Sequence, residues 1–113
     1  MASTEDITLN GVPPKGEYER AYGDEVTIYD NITLGDYDSA NDGNGNSYDV
    51  PAIYGLARLL YVDVTVDGSD AYYARYDKSN SAIRVYDITD GSEVIQGTTL
   101  NIDLNVRAVG TGH

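Results

Sequence analysis

Residues 100–108 alternate apolar and polar side chains without a break, in the order Leu, Asn, Ile, Asp, Leu, Asn, Val, Arg, Ala. A period of two places every apolar side chain on one face of a β-strand and every polar one on the other. Shorter runs of this kind precede it, separated by turn residues such as Asp67-Gly68 and Asp90-Gly91. This spacing is typical of sandwiches and small barrels. We therefore expect an all-β fold, a small antiparallel β-sandwich or barrel.

The strand candidates follow from β-branched and aromatic runs bounded by turn residues. A single short helical turn is expected at residues 50–55, because Pro51 suits a first helical turn and Gly55 can end it. Asp49 or Ser47 can cap this turn. Asp67-Gly68 predicts a hairpin between two of the strands. The expected strands are residues 7–12, 25–29, 32–34, 56 or 57 to 66, 71–76, 82–86, 93–95 and 99–109.

The N-terminal segment differs from the rest of the chain in its weaker strand pattern. Its apolar run at residues 7–12 leads into Pro13-Pro14, and proline lacks the backbone donor that a sheet interior needs. We expect residues 1–23 to form an N-terminal arm or edge strand. Residues 24–113 are expected to form the β-sandwich domain.

The charge of the chain is strongly acidic, with 19 acidic residues, 7 basic residues and a formal net charge of −12. Direct binding to nucleic acid requires a basic patch, and the sequence shows none. Such a surface suits solubility at high ionic strength, where salt screens self-repulsion. The alternatives are a saline or halophilic setting and simply a soluble, well-hydrated acidic surface. The chain has no cysteine, and its longest apolar run is too short for a bilayer. We therefore expect no membrane partner.

A long polar loop at residues 35–49 is the first candidate site, expected to be acidic and rich in Gly and Asn. Asp36, Asp38 and Asp42 offer the oxygen ligands that Ca²⁺ prefers. The spacing from Asp38 to Asp42 resembles the start of an EF-hand loop, although Ala40 stands at a ligand position and the closing Glu is missing. The alternatives are a Ca²⁺ site and a plain solvated loop. No other cofactor is expected.

Catalytic residues are not evident in the sequence, and we expect a protein that is not an enzyme. The only histidine is His113, so no Ser-His-Asp arrangement is predicted. Carboxylate pairs occur throughout so acidic a chain, and hydrolytic chemistry would need two of them in a cleft with separated pKa values. The sequence assigns no residue to such a pair.

Tyrosine and arginine are the residues that suggest an interface. All 11 aromatic residues are Tyr, which tolerates half-buried strand positions and is enriched at protein interfaces. Four arginines lie in or beside expected strands, where they either pair locally with acids or contribute to an interface. These arginines are Arg58, Arg75, Arg84 and Arg107.

Residues 66–77 read VDGSDAYYARYD, and upstream of them stand residues 32–37, the Gly-rich loop, Pro51 and Gly55-Leu56. This arrangement resembles the head decoration (capsid cement) proteins of tailed double-stranded DNA viruses. Covering residues 30–110 overall, it consists of strand and turn patterns. The other matching runs are residues 83–86, 91–94, 97–100 and 106–110.

This resemblance implies a virion structural protein on the capsid exterior that binds the major capsid protein and stabilises the head. It implies a homotrimer by analogy, and the acidic bias points to a virus of a halophilic host such as an archaeon. One alternative is a tail or neck structural component. Another is a surface carbohydrate-binding module, in which exposed rings such as Tyr72 and Tyr73 would stack on sugars.

Overall fold

A computed structural model describes residues 7–9, 17–20, 25–38, 43–67 and 71–111. They form two antiparallel sheets and one short helix, packed as a small β-sandwich, which confirms the all-β prediction. In chain order, the elements are β1 (Ile7–Leu9), β2 (Glu17–Arg20), β3 (Glu25–Asp36), β4 (Asn46–Ser47), α1 (Val50–Tyr54), β5 (Arg58–Asp67), β6 (Tyr72–Asp77), β7 (Ala82–Asp87) and β8 (Thr99–Thr111).

The larger sheet has the strand order β1-β3-β8-β5, and β2 also pairs with β3. Its centre is the long pairing of β3 with β8, in which Ile28 lies opposite Ala108 and Ile32 lies opposite Leu104. On the side of β3 away from β8, β1 pairs with residues 32–34 and β2 pairs with residues 26–29. The N-terminal segment therefore contributes two short strands to this sheet.

The smaller sheet has the order β4-β7-β6, and here one sequence prediction is wrong. The hairpin expected across Asp67-Gly68 would pair β5 with β6, but β5 pairs with β8 and β6 pairs with β7. Turn residues predict that a chain reverses but do not choose the partner of the strand that follows. The chain instead passes from one sheet to the other between these strands, and residues 68–70 lie outside the described part.

The core lies between the inner faces of the two sheets. Ile28 and Leu104 of the larger sheet and Ile83 and Val85 of the smaller sheet belong to one buried cluster. In β8 the alternation seen in the sequence is reproduced, with even-numbered residues from Ile102 to Ala108 buried and odd-numbered residues from Asn101 to Arg107 exposed. Burial of these apolar side chains is the main favourable contribution to the stability of the sandwich.

Several boundaries differ from those expected. β3 is one continuous strand where two were expected, and β4 lies within the expected loop of residues 35–49. The strand expected at residues 93–95 is reduced to a single bridge between Tyr86 and Glu93. Backbone pairing thus continues through polar stretches that interrupt the hydrophobic pattern. Residues 10–12 of the expected first strand lie outside the described part.

The short helix α1 confirms the helical turn expected before β5. Gly55 ends it in the left-handed region, with φ of 73°, and its N–H donates to the carbonyl of Pro51. Asp49 occupies the N-cap position but its side chain makes no capping hydrogen bond, contrary to the expected role. Among the residues that the structure describes, no helix is long and apolar enough to cross a membrane.

A chain of buried hydrogen bonds joins α1 to β3. The Tyr54 hydroxyl donates to Oδ2 of Asp30 at 2.6 Å, and the Tyr48 hydroxyl is hydrogen-bonded to that of Tyr54. Asp30 points into the core and is 7% exposed, and its Oδ1 also accepts the N–H of Asn31. Burial raises the pKa of both tyrosines, so their hydroxyls stay protonated and serve as donors.

We expect Tyr54→Phe to destabilise the fold by about 1–3 kcal/mol, because it leaves a buried carboxylate without one of its donors. Denaturant unfolding would measure this loss. Tyr61→Phe is the matched control, since Tyr61 is 43% exposed and loss of a surface hydroxyl should change the unfolding free energy by less than about 0.5 kcal/mol. Equal effects of the two substitutions would contradict a structural role for the Tyr54–Asp30 bond.

Candidate functional site

The acidic loop places its predicted calcium ligands in different surroundings. Asp36 is exposed at the end of β3, and its Oδ1 accepts the hydroxyl of Thr99 at 2.8 Å. Asp38 is buried, and Asp42 lies outside the described part of the chain. Within the described ranges, no group of three or more Asp, Glu, His or Cys side chains could hold a metal ion. Calcium binding by this loop stays a prediction.

Asp38 is held in an unusual way for a carboxylate. It is 2% exposed, has a positive φ of 54°, and receives hydrogen bonds from the backbone N–H groups of Gly45 and Gly43. Its Oδ1 has no hydrogen-bond partner in the described structure. Burial raises the pKa of Asp38 above its ordinary value, and the nearby Glu93 adds to this increase. The charged form of this side chain is therefore disfavoured by the fold.

Arg84 fixes the same region from β7. Its Nε donates to Asp77 at 2.7 Å, and its Nη1 lies 3.2 Å from Glu93 and 3.3 Å from the carbonyl of Gly43. Hydrogen bonds from Asn80 and then from Arg84 lower the pKa of Asp77 to about 2. Arg84 was predicted as a possible interface residue, but its guanidinium instead connects the acidic loop at Gly43 with Asp77 at the end of β6 and with Glu93.

Tyr37 completes this arrangement beneath the loop. Its hydroxyl donates to Oε2 of Glu93 at 2.5 Å and accepts the N–H of Val85 at 3.1 Å. Its own backbone groups pair with Thr98 and Gly97. Tyr37 therefore connects the loop, β7 and the segment before β8, and it stiffens the end of the sandwich from which the acidic loop departs.

Arg107 lies at the centre of an exposed group on the larger sheet, which we term the large-sheet cluster: Tyr29, Tyr61 and Arg107. Arg107 lies opposite Tyr29 on β3 and opposite Asp63 on β5. Its guanidinium carbon is 5.5 Å from the ring centroid of Tyr61, and its Nη1 is 3.7 Å from Asp63. Hydrogen bonding to Tyr29, with the charge of Asp63 contributing, raises the pKa of Arg107. This arginine already has an acidic neighbour.

Arg75 belongs to a second exposed group on the smaller sheet, which we term the small-sheet cluster: Tyr73, Tyr86 and Arg75. The two tyrosines lie opposite each other on β6 and β7, with ring centroids 5.2 Å apart and an interplanar angle of 16°. The Nε of Arg75 donates to the Tyr86 hydroxyl at 2.9 Å, and its guanidinium carbon is 5.6 Å from the Tyr86 ring centroid. None of the ion pairs between described residues includes Arg75.

The tyrosines proposed for sugar stacking have different positions in the structure. Tyr73 is 44% exposed, whereas Tyr72 is partly buried and packs against the core. The ring that stacks on Tyr73 is that of Tyr86, which the sequence analysis did not predict as a partner. The alternation of side chains along β6 could have predicted that Tyr72 and Tyr73 face opposite sides of the sheet. The pairing of Tyr73 with Tyr86 could not be predicted, because it depends on the register between β6 and β7. Arg58 is exposed at the start of β5.

A pocket of about 310 Å³ opens beside the turn that follows β7. Three carboxylates line it, and each accepts hydrogen bonds from other residues of the protein. Asp87 accepts the N–H of Thr89, and Asp90 accepts the N–H and hydroxyl of Ser92. The third, Glu93, accepts hydrogen bonds from Arg84 and Tyr37. These contacts hold the turn after β7 in place.

Comparison of the chain with protein-family models, with curated proteins and with solved structures finds no significant match. Among the described residues, tyrosine and arginine form two exposed clusters, the large-sheet cluster and the small-sheet cluster, one on each outer face of the sandwich.

We expect Asp38→Asn to change how stability depends on pH. Because the folded-state pKa of Asp38 is raised, its contribution is fully present below the ordinary Asp pKa of about 3.9 and is lost as pH rises through the folded value. The variant has no such loss, so its stability relative to the parent protein should increase between low and neutral pH.

Denaturant unfolding at a series of pH values measures this gain, with Asp36→Asn as the control. Asp36 is exposed at the end of β3, so Asp36→Asn removes the same charge without removing a buried carboxylate. If the unfolding free energies of Asp38→Asn and Asp36→Asn depend on pH in the same way, then the total charge of the chain, and not burial of Asp38, determines how stability changes with pH.

Proposed function

We propose that this chain is a virion structural protein, a capsid decoration protein that binds the outer surface of the major capsid protein and stabilises the head. The observation that carries the proposal is the pair of exposed tyrosine and arginine clusters held on the strands of a β-sandwich. Tyrosine and arginine are enriched among the residues that dominate protein–protein binding energy. Strands hold such side chains in place, so that little entropy is lost when a partner binds.

The acidic surface supports a partner that is a protein and a setting that is saline. A net charge of −12 opposes binding to phosphate backbones. At high salt the same charge keeps the chain hydrated while its long-range repulsion is screened. A tail or neck component of the virion is a second location that the same surface would serve.

Carbohydrate binding is a second candidate function, favoured by the stacked pair of Tyr73 and Tyr86. One ring of this pair is 44% exposed and could stack on a sugar. A glycan array separates the two candidates, because a carbohydrate-binding module should retain specific glycans whereas a decoration protein should retain none.

Co-expression with the major capsid protein encoded in the same genome tests the leading proposal. We expect the chain to sediment with assembled heads, and we expect those heads to withstand heating or dilution better than heads without it. Binding should saturate at a fixed ratio of chain to capsid subunit, which distinguishes specific attachment from trapping. Chain that stays in the supernatant at every salt concentration would refute the proposal.

A homotrimer is the expected assembly, proposed by analogy with decoration proteins at threefold positions. Light scattering in molar salt should give three times the 12.2 kDa mass of one chain. A mass of one chain in solution, together with single copies on the head, would contradict the trimer while leaving attachment to the head intact.

A further inference from the structure

The two outer faces of the sandwich differ in their charge, although each carries tyrosine and arginine. On the larger sheet, exposed acids surround the cluster, including Asp63, Asp67 and Asp103. On the smaller sheet, Arg75 and Arg84 lie directly opposite each other on neighbouring strands. Among the described residues, the acids next to these two arginines are Asp77 and Glu93, and both are paired with Arg84. The described part of the smaller sheet is therefore the less acidic of the two outer faces.

Of the two arginines on this face, Arg75 is the one whose terminal N–H groups are available to bind a partner. Arg84 is held by Asp77 and Glu93, so its charge is compensated. Arg75 uses its Nε to donate to Tyr86, and no hydrogen bond or ion pair between described residues occupies its terminal nitrogens. Two terminal N–H groups of a guanidinium match the two oxygens of a carboxylate.

We infer that the small-sheet cluster is the docking surface, and that it takes a carboxylate of an acidic, aromatic-containing segment of the partner protein. This inference rests on the proposed function and adds to it the face that binds and the chemistry of what binds there. The Arg75 fork receives the carboxylate, and the exposed ring of Tyr73 packs against an adjacent aromatic or apolar side chain. Tyr86 holds both groups in place.

Charge complementarity selects this face over the other one. Arg107 lies 3.7 Å from Asp63, so an incoming carboxylate there would meet a negative neighbour. None of the ion pairs between described residues includes Arg75, and the carboxylate of Asp77 on the same face is already paired with Arg84. A like charge beside a docking carboxylate disfavours binding, whereas an open guanidinium favours it.

The surroundings of the cluster also favour a peptide over a sugar. Sugars are recognised by an aromatic face together with polar side chains that match several hydroxyl groups. On this face Asp77 already accepts hydrogen bonds from Ser79, Asn80 and Arg84. The polar groups next to Arg75 are therefore engaged, and a single carboxylate with an adjacent ring uses the open groups that remain.

Isothermal titration with three defined probes tests the inference on the full chain. The probes are a copolymer of glutamate and tyrosine, polyglutamate, and oligogalacturonate as a carboxylated sugar. At about 0.15 M salt, where the screening length is about 8 Å, the copolymer should bind most tightly because it supplies both a carboxylate and a ring. Absence of copolymer binding, or tighter binding of oligogalacturonate, would overturn the inference.

Substitutions on the two faces serve as matched controls. Arg75→Ala and Tyr73→Ala should each weaken copolymer binding by about tenfold or more, the size of a hot-spot loss. Arg107→Ala and Tyr61→Ala, which make the same changes on the opposite face, should alter it by less than about twofold. Arg75→Lys keeps the charge but loses the fork, so it should bind at an intermediate level. Equal losses on both faces would contradict the assignment of the smaller sheet.

Sedimentation with heads separates this inference from the proposed function. If the parent chain binds heads and Arg75→Ala binds equally well, the docking surface is wrong while the function stands. If the parent chain does not bind heads but the copolymer still binds through Arg75, the function is wrong while the surface stands. Melting temperatures close to that of the parent chain confirm that the exposed substitutions leave the fold intact.

Discussion

The pairing of β3 with β8 determines how the rest of the sandwich is arranged. The two strands run antiparallel from Glu25 opposite Thr111 to Leu34 opposite Ile102, and a bulge follows at the end of β3. Since side chains alternate along a strand, this one register decides which residues enter the core and which face outward. It places Tyr29 beside Arg107 outside, and it turns Asp30 inward toward the helix α1. A shift by one residue would reverse each of these positions.

Tyrosine is the only type of aromatic residue in the chain, and this has a structural consequence for the core. Tyr37, Tyr48 and Tyr54 are fully buried, and each brings a hydroxyl that must be hydrogen-bonded. Asp30 accepts the hydroxyl of Tyr54 and Glu93 accepts that of Tyr37, whereas the Tyr48 hydroxyl is hydrogen-bonded to that of Tyr54. A core with phenylalanine would need neither carboxylate. The buried polar bonds therefore tie the helix and the acidic loop to particular strands, in addition to the less directional packing of the apolar residues.

Local pattern made part of the fold predictable. The alternation at residues 100–108 predicted the buried and exposed faces of β8, and Gly55 predicted the end of α1. The partner of β5 was not predictable, because β8 is distant from it in the sequence. The candidate site was partly predictable: Arg75 and Arg107 were named as possible interface residues, but the stacking of Tyr73 on Tyr86 and the compensation of Arg84 depend on cross-strand register.

The composition of the small-sheet cluster also fits adhesion in salt. At about 1 M salt the screening length falls to about 3 Å, so attraction between separated charges largely disappears. Burial of an aromatic ring does not depend on that attraction, and a guanidinium fork acts on a carboxylate at hydrogen-bond distance. A contact made of Tyr73 and Arg75 would therefore retain much of its strength where a purely ionic contact would not. An acidic chain that adheres to another protein in a saline medium would need a contact of this kind.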